Sequence, residues 1–252
     1  MGELPRSTTI DPSEIEKFSR IADEWWDPNG KFRPLHKFNP VRLKLIRETA
    51  IAHFDRQPTA KEPLAGLKVL DIGCGGGLVA EPMARLGAEV TAIDASENNI
   101  KTALAHSQPL DLSINYHACA VEDLIADGIE PVDLVLNLEV VEHVADVDAF
   151  LQASASLVKP GGLMIIATIN RTFKALALAK IGAEYILRWL PAGTHDHKKF
   201  VTPAEIETAL AHAQMKICER YGVSFNPLMD QWRLTEDLSV NYLLTATRSA
   251  AP

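Results

Sequence analysis

Glu139, Glu142 and His143 follow directly on an apolar run, 132–137, with the length and residue types of a strand buried on both faces. Such a strand would deliver these side chains to the carboxyl edge of an open α/β sheet, where sheets of that kind hold their ligands. If the turn after it is helical, positions i, i+3 and i+4 share one face, and two carboxylates converge with an imidazole. That set can take a proton from a substrate hydroxyl. The alternative is architectural, with Glu142 capping or ion-pairing and His143 an orienting or satisfied buried histidine. His195 and Asp196 form a second polar pair, equally suited to a substrate entrance or to ordering a loop.

The second chemistry-bearing run is Asp71-Ile72-Gly73-Cys74-Gly75-Gly76-Gly77, at the end of the apolar stretch 68–72. A tight turn between strand and helix lets a ligand approach the backbone where glycine presents no Cβ. A dinucleotide fingerprint would need glycine at 73, 75 and 78, and residue 78 is Leu78; a phosphate-cradling loop would end in Gly-Lys-Ser/Thr, which is absent. The pattern is Asp-x-Gly-x-Gly-x-Gly, the methyltransferase form rather than the nicotinamide form. Asp71 at the loop mouth would favour a cationic amine or sulfonium and repel a pyrophosphate. Asp94 stands 21 residues after Gly73, close to the spacing of an acid that hydrogen-bonds ribose hydroxyls.

The elements that must position these groups are legible as alternating periods. Strands are expected at 68–72, 89–93, 113–117, 132–137 and 163–168, with helices at 78–86, 97–106 and 147–158, the alternation of βαβ units in a mostly parallel sheet. Two late strands, near 216–221 and 240–246, bring the total to about seven, in an order that propensity does not give. Lys159-Pro160-Gly161-Gly162 reads as a turn before the fifth strand, and Thr202-Pro203-Ala204-Glu205 as a helix start. Ahead of the core, Asp11-Pro12-Ser13-Glu14 opens a helix reaching about Trp26, Pro34 and Pro40 punctuate a loop, and 41–54 forms a second helix. The organisation expected is one domain: a helical preface (1–62) and an α/β core (63–252) with helices on both faces and a helical insertion at 170–200.

Composition is that of an ordinary globular chain, 47% hydrophobic and 23% charged. A net charge of −8 argues against a general nucleic-acid binder, which needs a basic surface. Cys74, Cys119 and Cys218 form no Cys-x-x-Cys pair and suit a reducing compartment. The N-terminal stretch has neither a secretory apolar region nor an Arg-rich transit composition, and no apolar run is long enough to span a bilayer.

Beyond the glycine loop, the chain resembles the class I, Rossmann-like methyltransferases, and within them the ubiquinone biosynthesis O-methyltransferases. The resemblance runs from about Ile15 to Thr245 and rests on Trp25-Trp26-Asp27, Pro34-Leu35-His36, Asn39-Pro40-Val41-Arg42, Gly182-Ala183-Glu184-Tyr185-Ile186-Leu187-Arg188, Gly193-Thr194-His195-Asp196 and Asn241-Tyr242. It implies S-adenosylmethionine as cofactor, with Gly73, Gly75 and Asp94 contacting it and Leu138 lying along it. Arg42 would reach back from the preface to the methionine carboxylate, which a guanidinium can grip with paired hydrogen bonds. Asp123 would either meet the adenine amino group or stand as a surface acid.

The acceptors implied are polyprenylated catechol or hydroxyphenol intermediates. The sulfonium is already activated, whereas a phenol of pKa about 10 is mostly protonated at neutral pH, so the enzyme must make phenolate. The resemblance implies magnesium on Glu139, Glu142 and His143, although a histidine ligand also suits zinc or manganese. Other ubiquinone-biosynthesis proteins are possible partners. The rival readings are a methyltransferase with another small acceptor, a nonenzymatic lipid- or cofactor-binding scaffold, and, more weakly, an NAD-dependent oxidoreductase.

Between Arg171 and Leu190 four basic residues (Arg171, Lys174, Lys180, Arg188) face one acid (Glu184), interleaved with Phe173, Leu176, Ile181, Leu187 and Trp189. That pattern suits an amphipathic segment at an anionic membrane surface. A lid over the active site or a subunit contact has the same pattern. With a membrane-resident substrate, the expected location is peripheral: the cytoplasmic side of the inner membrane, or the matrix side in a mitochondrion.

Overall fold

The computed structural model describes residues 8–177, 199–226 and 228–249. β1 (Lys68–Ile72), β2 (Glu89–Asp94), β3 (Ile114–Ala118), β4 (Val132–Leu138) and β5 (Val158–Ile169) are parallel to their neighbours in the order 3-2-1-4-5. β8 (Asn241–Arg248) pairs antiparallel with β5, β6 (Met215–Asn226) antiparallel with β8, and β7 (Gln231–Thr235) closes the edge. Eight strands stand among the described residues where about seven are expected. β7 escapes sequence reading because its residues are only half-buried or exposed, so no apolar run marks it.

β1 and β4 are buried almost throughout because both faces of the sheet are covered. Leu134, Leu136, Leu163 and Ile165 pack toward α2 (Arg33–His53) through Leu45 and Ile46. Val135, Met164 and Ile166 pack on the other face with Phe150 and Leu151 of α6 (Val147–Ser156) and Leu210 of α8 (Pro203–His212). Between β1 and β4 the strand order reverses, and the turns leaving these strands diverge to open a crevice. Thr202 caps α8, accepting from the Glu205 amide while Glu205 accepts from the Thr202 amide.

The preface differs from expectation. α2 takes in both Pro34 and Pro40, where a loop is predicted. Pro34 falls in the first turn, where no amide is needed; Pro40 forfeits one helical hydrogen bond. Burial of Phe38, Leu45, Ile46 and Ala50, and the Asn39 amide donating to the Leu78 carbonyl at 3.2 Å, offset that loss. α1 (Pro12–Ser19) begins on the Asp11 cap but stops short of Trp26; a single tight turn, Ala22–Glu24, follows. Helix α3 (Ala80–Arg85) is shorter than predicted, α4 (Glu97–Ser107) lies where expected, and α5 (Val121–Ala126) was not expected. Lys159 to Gly162 opens β5 instead of forming a separate turn. Of the predicted insertion, 170–177, with α7 (Phe173–Leu176), and the end at Lys199 and Phe200 are described; 178–198, with His195 and Asp196, lie outside the described residues.

Candidate active site

Gly73 and Cys74 donate their amides to the Ile93 carbonyl, at 2.8 and 2.9 Å, which folds the loop after β1 toward the end of β2. Asp94, at that end, accepts from the Gly75 amide at 2.9 Å and the Ser96 amide at 2.8 Å. Gly75 has φ +55°, and a Cβ there would stand 2.3 Å from the Trp25 ring, so this position excludes side chains both by conformation and by contact. Helix α4 begins just past Asp94, capped by Ser96.

Over this loop lies a cavity walled by Gly73, Ile93, Asp94, Val121, Glu122, Val140 and Phe150, and by the N-terminal residues Thr9, Ile10, Phe18 and Trp25. The N-terminal segment is strapped down along its length. The Thr9 amide donates to Glu122 Oε1 at 3.0 Å, the Ala145 amide to the Thr9 carbonyl at 2.7 Å, and Lys199 to Asp11 and Glu14 at 2.8 and 2.9 Å.

Of the residues expected to hold the cofactor, Gly73 and Asp94 line the cavity, whereas Gly75, Leu138, Asp71 and Arg42 stand behind its wall. Asp71 is buried beneath the loop rather than at its mouth. Burial pushes its carboxyl up to about 7, with Asp94 adding to the rise and the Arg42 charge opposing it. Arg42 is itself buried, hydrogen-bonded to Asn39, 3.6 Å from Glu139 and stacked over Phe38 at 4.6 Å. Its Nε has no hydrogen-bond partner among the described residues, which leaves a donor for an anionic group.

The turn after β4 is not the helix that would put Glu139, Glu142 and His143 on one face. Glu139 is left-handed (φ +58°), and only Val141–His143 forms a short tight turn, so the side chains separate. Glu139 faces Arg42; burial first, then Glu142, raises its carboxyl. Glu142 is buried and accepts from the Thr168 hydroxyl at 2.8 Å. His143 lies 2.9 Å from Glu14 through Nδ1, with Phe18 edge-on at 4.9 Å. Among the described residues no group of three or more His, Cys, Asp and Glu side chains is placed to hold a metal ion. The expected three-ligand set therefore does not fit a metal centre as placed.

A carboxylate only accepts, so in the neutral ring His143 Nδ1 carries the hydrogen and Nε2 the lone pair. His143 and Glu139 both line the cavity, which sets an imidazole held by the Glu14 carboxylate at its wall. A pairing of that kind is chemically capable of acid–base work. Glu14 was read only as a helix-start acid. Its partner is 129 residues away in sequence, a distance over which spacing carries no signal.

A model of the methyltransferase domain family matches residues 42–219, more than half of the chain, and places it among the methyltransferases. Curated relatives refine that class: the ubiquinone biosynthesis O-methyltransferase of Brucella ovis is 58% identical over 250 residues, covering 99% of this chain and 100% of the relative. That of Mesorhizobium japonicum is 56% identical over 246 residues, covering 98% of each. The chain belongs to the ubiquinone biosynthesis O-methyltransferase family. Among solved structures, the magnesium protoporphyrin IX methyltransferase of Synechocystis with bound SAH superposes with a TM-score of 0.62 at 20% identity over 94% of this chain and 95% of that one, a likeness of fold.

Proposed function

We propose that this protein transfers a methyl group from S-adenosylmethionine to phenolic hydroxyls of polyprenylated catechol and demethylubiquinol intermediates of ubiquinone biosynthesis. Family membership at 58% identity over nearly the whole chain carries this reading. The site's chemistry agrees with it. Asp94 takes the ribose hydroxyls, the glycine loop admits the cofactor to the backbone, and Arg42 offers its unpartnered Nε–H to the methionine carboxylate.

His143, oriented by Glu14, takes the phenol proton on Nε2 as the oxygen attacks the methyl carbon. The sulfur–carbon bond breaks with its electron pair going to sulfur, leaving S-adenosylhomocysteine and an aryl methyl ether. Glu142, held by Thr168, sets the turn that presents His143. The family resemblance implies a divalent cation, magnesium first, on Glu139, Glu142 and His143, but among the described residues these side chains are not gathered into a metal-binding group. Because His143 is turned toward Glu14, no step above is routed through a metal.

Labelled-methyl transfer to short-tailed catechol and demethylquinol analogues, with and without EDTA, tests the acceptor and the metal together. Transfer that persists in EDTA supports the His143 route, and loss restored by magnesium transfers the proton's activation to a metal.

The basic stretch from Arg171 to Leu190 we read as a contact with an anionic membrane surface, placing the enzyme peripherally where its tailed substrate resides. Phe173 is 89% exposed, whereas Arg171 and Lys174 are paired with Glu205 and Asp237. No described helix is long and apolar enough to cross a membrane. Liposome co-sedimentation of Lys174→Glu, Lys180→Glu against wild type checks this: equal binding rules out an electrostatic contact.

A further inference from the structure

Asp94 is the residue on which ribose recognition depends, and its orientation is not set by its own strand alone. Asn99, in the first turn of α4, donates from Nδ2 to Asp94 Oδ1 at 3.1 Å. The other end of the same amide, Oδ1, accepts from Trp25 Nε1 at 2.9 Å. An indole N–H only donates and a carboxylate only accepts, so the amide between them has a single satisfied orientation. Asn99 is 2% exposed and Trp25 8%, so neither group can exchange its partner for bulk water without opening the site.

Trp25 is fixed in turn. Its ring stacks on Phe32 at 3.7 Å with the planes 9° apart, and it lies against Gly75 and Gly76 closely enough that a Cβ at either would overlap it. The neighbouring Trp26 donates from Nε1 to the Gly76 carbonyl at 2.8 Å. The preface thus touches the glycine loop directly, and reaches the Asp94 carboxylate through one amide.

We propose that Trp25 and Asn99 form a positioning relay that holds Asp94 ready for the ribose hydroxyls, so that docking of the N-terminal segment and cofactor binding are thermodynamically coupled. The proposal rests on the cofactor reading above. Without the relay, Asp94 keeps the Gly75 amide on Oδ2 and the Ser96 amide on Oδ1 but loses the second, side-chain donor to Oδ1. Because coupling is reciprocal, whatever loosens the segment weakens the cofactor, and cofactor binding tightens the segment.

The test is calorimetric binding of S-adenosylhomocysteine, with KM for S-adenosylmethionine and kcat measured alongside. Trp25→Phe keeps the stack and removes the N–H; Asn99→Ala removes the amide. Each should weaken binding by about tenfold, equivalent to ~1.4 kcal/mol, and raise KM to match, with kcat at saturation within about twofold. The double variant should also lie near tenfold, because either change breaks the same relay. Asn99→Asp, nearly isosteric, still accepts from Trp25 but sets a second carboxylate against Asp94, and should bind more weakly than Asn99→Ala.

Wild-type affinity in folded Trp25→Phe or Asn99→Ala overturns the relay. So does a double variant whose losses multiply to about a hundredfold, or an Asn99→Asp variant that binds like wild type. If Trp25→Phe fails to fold, the order of the two Asn99 variants decides alone. Failure of the wild type to bind S-adenosylhomocysteine overturns the cofactor reading, and the relay with it.

Discussion

Arg42, buried beside Glu139, feels the charges of Glu139, Asp71 and Glu142, which oppose the cost of burying its guanidinium. Burial raises the Asp71 carboxyl to about 7, above its unfolded value near 3.8. Between about pH 4 and 7 the folded chain keeps a proton that the unfolded chain has released, so the stability this group contributes is present below pH 4 and is lost as pH rises toward 7. Asp71→Asn should therefore stabilise the cofactor-free protein at pH 8, on the order of 1–3 kcal/mol or ~5 °C in Tm, with the gain vanishing near pH 4. Methyl transfer by the variant should change less than stability does, because Asp71 lies beneath the loop and does not line the cavity. Calorimetric scans at the two pH values check the first point; an equal gain at both contradicts it. Asp71 and the glycines were readable as a cofactor site because they are contiguous. The burial that tunes Asp71 is not, since it comes from α2 packing over β1.

At the scale of elements, the N-terminal strap is the part the sequence showed least. A capped α1 is written into Asp11-Pro12-Ser13-Glu14, but its docking depends on pairs between distant residues: Glu14 with His143, Asp11 with Lys199, Thr9 with Glu122. The His143 hydrogen bond, reinforced by Lys199, holds the Glu14 carboxyl down to about 2 against the opposing effect of burial. That stabilisation is present above about pH 4.5 and is lost as pH falls toward 2. Glu14→Gln should weaken strap docking at pH 7 by about 1–3 kcal/mol, with the difference shrinking as pH falls from about 4.5 toward 2. Hydrogen exchange of residues 8–19 would report it; unchanged protection at pH 7 contradicts the pairing. The same substitution should slow methyl transfer by freeing the His143 ring. α2 was half legible for a related reason: Pro34 and Pro40 are strong local breakers, and only the core beneath the helix outweighs them.

Across the whole molecule, the parallel half of the sheet was readable because strands covered on both faces are uninterrupted apolar runs, as in β1 and β4. In the antiparallel half the strands expected near 216–221 and 240–246 stand as β6 and β8, but neither the insertion of β8 between β5 and β6 nor the exposed edge strand β7 leaves a local mark. The cofactor cavity sits where the strand order reverses, so the legible half of the fold places the site and the less legible preface closes it. The expected metal triad shows the limit of spacing: i, i+3 and i+4 converge only on a helix, and Glu139 adopts a left-handed conformation at the turn.

The central claim is that a methyl group reaches a phenolic oxygen. With 13C-methyl-labelled S-adenosylmethionine and a short-tailed catechol, carbon NMR of the product distinguishes the acceptor atom directly. Label in an aryl methoxy group, with one equivalent of S-adenosylhomocysteine formed per methyl, is the expected result. Label on ring carbon, or S-adenosylhomocysteine absent from a reaction in which the cofactor is bound, would contradict it.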